Sequence, residues 1–67
     1  MSVARVTEIS ATSDKSFDDA VNQGLARASK TIHGITGAWV KEQTVDVKDG
    51  KIGDYRVNML VTFVLDE

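Results

Sequence analysis

The sequence predicts an α+β domain in the order β-α-β-β, a three-stranded antiparallel sheet wrapped on one helix. Three observations carry this. Tyr55, Val57, Met59, Val61, Phe63 and Leu65 recur at every second position, the period that puts side chains on one face of a strand. Phe17, Ala20, Val21, Gly24, Leu25, Ala28 and Ile32 recur at helical spacing, an apolar stripe along one side of a helix. Asp49-Gly50 lies between two apolar runs, and both residues tolerate the positive φ that a tight hairpin needs.

The first element is a strand over residues 3–10, with Val3, Val6 and Ile9 as its apolar members. Residues 11–14 are small and polar and end it. Ser13 or Ser16 can cap the next element, a helix, its hydroxyl accepting a backbone N–H. Ser16 with Asp19 three residues on resembles a capping box in which Asp replaces Glu. Asp14, Asp18 and Asp19 sit where the helix dipole favours negative charge. The helix is expected to run through Ile32, with Gly34 or Gly37 able to stop it. Gly24 interrupts the apolar stripe at a cost of roughly 1 kcal/mol relative to Ala, and allows a close approach to the sheet.

The second strand spans residues 38–48, with Trp39, Val40, Thr44, Val45 and Val47. The third spans residues 52–65. Its odd positions form the helix-facing side. Ile52, Leu60 and Val64 fall on the other side, among Asp54, Arg56, Asn58 and Thr62. One sheet face is covered by the chain's own helix. The second carries apolar residues for which the chain supplies no cover, and this points to an assembly.

Size and composition agree. The chain of 67 residues is a single domain, 1–67, near the size at which one core is only marginally sufficient. It has no cysteine and one histidine, so neither disulfides nor a thiolate or His-rich metal site can supplement the core. Oligomerisation is the remaining supplement. A net charge of −2, with both signs spread along the chain, is no footprint for nucleic acid. No apolar run is long enough for a membrane span, and residues 1–7 lack the apolar segment of a signal peptide. The expectation is a cytoplasmic protein with neither nucleic acid nor membrane as partner.

Chemistry is sparse. The glycines are scattered and form no phosphate loop. His33, near the helix end, can be read as a general base, but a solvent-exposed histidine complementing the helix dipole is the simpler reading. Asp46, Asp49 and Asp54 surround the hairpin and could offer oxygen ligands to calcium, or form a solvated turn. No nucleophile has an evident base. No enzymatic activity, catalytic residue or definite metal-ligand set is assigned. Trp39, the lone tryptophan, either fills a packed volume or stacks on a planar ligand.

Several local motifs occur in order: Thr12-Ser13, Ser16-Phe17, Ala20 to Leu25-Ala26-Arg27-Ala28, Thr31-Ile32, Val40 with Glu42, Tyr55, and Val61-Thr62-Phe63-Val64-Leu65. Together with the β-α-β-β order they resemble the dodecin family across nearly the whole chain. The resemblance implies a hollow homododecamer that stores or buffers flavin, riboflavin or FMN, near its two-fold axes. In that family a tryptophan from each of two subunits stacks on the flavin, and a glutamine on the last strand binds the ring edge. The family tryptophan falls on Gly37 here, and the family glutamine on Arg56. Gly37 offers no stacking plane. Arg56 can donate hydrogen bonds, stack or pair with an anion.

The expected cofactor site is therefore Trp39, displaced about 7 Å from the family position by two strand rises, with Arg56, Gly37 and Ala38. The partners are further copies of this chain and a small planar ligand. The alternative is a flavin-free assembly of the same fold that binds a metal ion such as calcium or serves a structural role.

Overall fold

A computed structural model describes residues 2–65. Its elements are β1 (Ala4–Ser13), α1 (Phe17–Ala28), β2 (Ile35–Lys48) and β3 (Lys51–Val64). All pairings are antiparallel and the strand order is β1-β3-β2. The last strand is thus central and the other two are edges. The fold class and element order are those expected from the sequence.

The helix begins where the sequence places a cap. Asp19 N donates to Ser16 Oγ at 3.0 Å. The reciprocal half of a capping box is missing. The Asp19 carboxylate instead accepts from Ser13 Oγ at 2.5 Å and from Gln23 Nε2 at 2.6 Å. Ser13 Oγ in turn accepts from Lys15 N at 3.0 Å. This ties the end of β1 to the first turn of α1 and satisfies the buried Ser13 hydroxyl. The Asp19 carboxyl is held below its ordinary value, chiefly by the Ser13 hydroxyl. Partial desolvation opposes this, while the Gln23 amide and the Lys15 charge add to it.

Boundaries depart from expectation at three places. β1 continues past Ser10 to Ser13, because Ala11, Thr12 and Ser13 pair with Val57, Arg56 and Tyr55 of the central strand. The helix stops at Ala28, short of Ile32, with Ser29 as its cap and the Ser29 hydroxyl donating to Leu25 O. β2 starts at Ile35, earlier than residue 38, just after Gly34. There a φ of 78° turns the chain and Gly34 O accepts from Val64 N.

The core is small. Ala20, Val57, Met59 and Val61 are fully buried, with Ile9, Ala11, Phe17, Val21, Leu25, Ile35 and Val40 packed around them. Gly24 is where helix and sheet meet most closely: a Cβ there would stand 2.8 Å from Met59 Cε and 3.0 Å from Ala11 Cβ. Tyr55 closes one end edge-on against Phe17, ring centroids 5.1 Å apart. Leu65, expected on this face, lies beyond the end of β3 and is exposed.

Beyond Tyr55 the β2–β3 hairpin runs on without β1 as a two-stranded arm. It turns at Asp49 and Gly50, with φ of 55° and 76°. Gly53 is an extra residue opposite β2, between the Asp46↔Asp54 and Val47↔Ile52 pairs. Such a bulge switches the face on which the neighbouring residues of the strand project, so Ile52 joins Val45 and Val47 on the helix side, contrary to its expected place on the other face. All three are exposed. The arm gives the molecule an extent of 51 Å along its long axis and a radius of gyration of 13.8 Å. A compact chain of this length has about 11 Å. The accessible surface is 4961 Å², against about 4,200 Å² for a compact protein of this mass.

Candidate functional site: the uncovered face of the sheet

The strand registers assemble the face opposite the helix row by row. Val6, Thr62 and Gly37 make one row across β1, β3 and β2. Glu8, Leu60 and Trp39 make the next, then Ser10, Asn58 and Glu42, then Thr12, Arg56 and Thr44. Asp54 and Asp46 make a last, two-stranded row. Successive rows are two strand residues, or about 6.6 Å, apart.

Of the residues expected to bind a cofactor, Gly37 and Trp39 occupy adjacent rows of this face. The strand is regular between them. Trp39 is 68% exposed. It fills no volume within the chain, and its ring is available to a ligand or to another chain. At Gly37 a Cβ would meet nothing within 4 Å, so the backbone there is bare and open beside the indole. Ala38 pairs with Val61 and belongs to the helix side. Arg56 lies two rows beyond Trp39, about 13 Å along β3. A single chain does not bring Trp39 and Arg56 together.

Arg56 is engaged locally. Its Nη2 stands 3.1 Å from Asp46 Oδ2, with both side chains about half exposed. Asp46 and Asp54 are direct cross-strand partners. Like charges so placed repel, and the guanidinium partly offsets that repulsion. One row up, Asn58 Nδ2 donates to Glu42 Oε1 at 3.0 Å.

Two residues that the sequence did not single out complete the face. Lys41 Nζ lies 3.6 Å from Glu8 Oε2, a contact that crosses the central strand. It exists because β2 carries an extra residue between the Val40↔Met59 and Glu42↔Asn58 pairs. In a regular strand only one of Lys41 and Glu42 could face this way; the bulge places both on the uncovered side.

Other chemistry is limited. Among the described residues no three His, Cys, Asp or Glu side chains group as metal ligands, so Asp46, Asp49 and Asp54 do not form such a set within one chain. His33 is exposed. Among the described residues no helix is long and apolar enough to cross a membrane. On the other side of the molecule, a groove of about 500 Å³ lies between β1 and α1, lined by Ile9, Ala11, Gly24, Arg27, Ala28 and Ile32. It contains none of the expected site residues.

Comparison with known proteins agrees with the architecture. A family model described as Dodecin matches residues 3–66. Among solved structures, the dodecin from Streptomyces davaonensis is 39% identical with a TM-score of 0.93, the match covering 98% of this chain and 97% of that one. A variant of the Thermus thermophilus dodecin is 30% identical with a TM-score of 0.94, covering both chains fully. A protein of Mycobacterium tuberculosis described as a calcium-chelating immunodominant antigen, calcium dodecin, is 34% identical with a TM-score of 0.82, covering 96% of this chain and 91% of that one. No curated protein sequence matched.

Proposed function

This chain belongs to the dodecin family, and from that premise we propose that it is a non-enzymatic, homododecameric shell that binds or stores a flavin of the riboflavin or FMN type. One observation carries the reading: the exposed indole of Trp39 on the sheet face the helix leaves bare, next to the open backbone of Gly37. An aromatic contact adds about 0.5–1.5 kcal/mol beyond area burial. Useful affinity therefore needs two or more such contacts, and pairing Trp39 with its symmetry mate across a two-fold axis supplies them. Within one chain Arg56 stands about 13 Å from Trp39 along the strand, so it reaches the same ligand either by its extended side chain or from another copy.

The test uses Trp39 as the sole tryptophan. The purified protein is expected to be an assembly by light scattering, and riboflavin and FMN are expected to quench its fluorescence at micromolar concentration. A colourless protein that neither ligand quenches is not a flavin store. A monomer mass at micromolar concentration removes the shell as well. Residence in the cytoplasm is part of the same proposal, supported by the lack of cysteine and checked by fractionation.

A second reading is a flavin-free shell that binds calcium. The facing carboxylates of Asp46 and Asp54 favour it, as does the 34% identity to the calcium dodecin. Ligands from neighbouring copies have to complete such a site, because calcium takes about six to eight oxygens. Calcium is then expected to raise the melting temperature and EDTA to lower it. No shift in either direction leaves this reading without support.

A further inference from the structure

The same row that holds Trp39 holds a donor and an acceptor. Glu8, Leu60 and Trp39 are in cross-strand register on the uncovered face. Lys41, turned onto that face by its bulge, reaches Glu8 over the central strand. Trp39 and Glu8 are two strand spacings apart, about 9.5 Å, the span of a fused-ring heterocycle. Between them Leu60 is half-buried and apolar. The row thus reads as an aromatic plane, an apolar floor and a polar rim.

The rim is not closed on itself. At 3.6 Å the Lys41–Glu8 contact is longer than an optimal charge-assisted hydrogen bond of about 2.7–2.9 Å. Both side chains are about half exposed, and the ammonium keeps further N–H donors while the carboxylate keeps free lone pairs. The next row lies about 6.6 Å further from the indole, and there Asn58 Nδ2 already donates to Glu42 Oε1. Arg56 is a row further off and held by Asp46.

We propose that Glu8 and Lys41 are specificity residues that read the hydrogen-bonding edge of a planar heterocycle lying against Trp39 and over Leu60. The matching chemistry is a ring N–H beside a ring carbonyl, as in a lactam or imide. Glu8 accepts from the N–H and Lys41 donates to the carbonyl. The pyrimidinedione ring of a flavin has this edge, so the inference deepens the proposed function and rests on it. A ring lacking the N–H is disfavoured, because it desolvates the Glu8 carboxylate and leaves it only the long contact to Lys41.

Lumiflavin and 3-methyllumiflavin separate the two readings. They share the ring system and differ at the imide nitrogen, and neither carries a phosphate. Each is titrated against Trp39 fluorescence of the assembled protein. The wild type is expected to bind lumiflavin about tenfold to a hundredfold more tightly, the range for a hydrogen bond to a charged group. Glu8→Ala is expected to bring the two ligands within about twofold of each other, chiefly by weakening lumiflavin. Lys41→Met is expected to weaken both and leave their ratio in place. Quenching by both ligands with equal affinity in the wild type overturns this inference and leaves flavin binding standing. Quenching by neither overturns both. The wild-type ratio decides the matter even where a variant fails to assemble.

Discussion

The two faces of the sheet are built by different rules. The helix side is set by strict alternation: Val57, Met59 and Val61 are fully buried because every second residue of the central strand turns to α1. The uncovered side keeps that alternation along Thr62, Leu60, Asn58 and Arg56 and adds exceptions to it. One of two extra residues in β2 presents Lys41 beside Glu42, and the one in β3 moves Ile52 off this face. On the first face a side chain's place is fixed by its parity. On the second, parity places Trp39 and Leu60, and slips of the ladder decide Lys41 and Ile52. Burial is concentrated in the first face, and the charged and polar contacts in the second.

The largest test of that contrast is a matched pair on one strand. Met59→Ala opens a cavity in the buried cluster and is expected to cost about 2–5 kcal/mol. Its neighbour Leu60→Ala, on the other face, is expected to cost well under half as much in the folded chain. Urea melts at one fixed protein concentration measure both, since assembly makes apparent stability concentration-dependent. Equal losses collapse the distinction.

A smaller effect is expected at the close approach. Gly24→Ala gains helix propensity of roughly 1 kcal/mol but places a methyl 3.0 Å from Ala11 Cβ. Overpacking costs about 1–3 kcal/mol. The Met59 terminus can move aside, whereas Ala11 is fixed to its strand, so a net loss of about 1 kcal/mol is expected in the same melts.

Ser13→Ala sharpens the comparison at the edge of the core. It removes the acceptor of Lys15 N and the donor to Asp19, and is expected to cost about 1 kcal/mol. The Asp19 carboxyl lies below its ordinary value of 3.8 in the fold. Its contribution is therefore complete above that value and fades as pH falls through the lower folded one. Melts from about pH 7 to about pH 3 are expected to show wild type and variant converging at the acid end. A gap that widens on acidification contradicts the assignment.

The smallest stability change is expected at Trp39. With 68% of its surface exposed, Trp39→Ala is expected to shift the stability of the folded chain by no more than about 0.5 kcal/mol. A large loss that tracks a fall in assembly mass places Trp39 in an inter-subunit contact and not on a ligand.

Much of the regular face was legible in the sequence, because Tyr55 to Phe63 and Phe17 to Ala28 advertise their periods directly. Thr12 and Ser13 gave no such signal. They extend β1 only because the central strand offers them backbone partners, which composition does not encode. Ile32 fits the helical stripe by spacing, yet the chain has already left the helix at Ser29. On the other face, Trp39 could be found as the lone tryptophan, and Gly37 beside it through family position. Glu8 and Lys41 could not. Their meeting depends on the order β1-β3-β2 and on a one-residue bulge, and neither leaves a periodic trace. Leu65 kept the alternation, and its N–H still donates to Val3 O, but it lies past the end of the strand, where its side chain stays exposed.

The hairpin arm divides the central strand by time as well as by neighbours. From Tyr55 to Phe63, β3 has a partner on both sides; from Lys51 to Asp54 it has only β2. Amide hydrogens in the doubly flanked part exchange with solvent only through larger openings of the domain, while those of the arm are released by local fraying. In a dilute single chain the exchange rate along β3 should therefore step at Tyr55. In an assembly that clasps the arm, the step should flatten, so one strand would act as its own clock for whether a neighbour is in place.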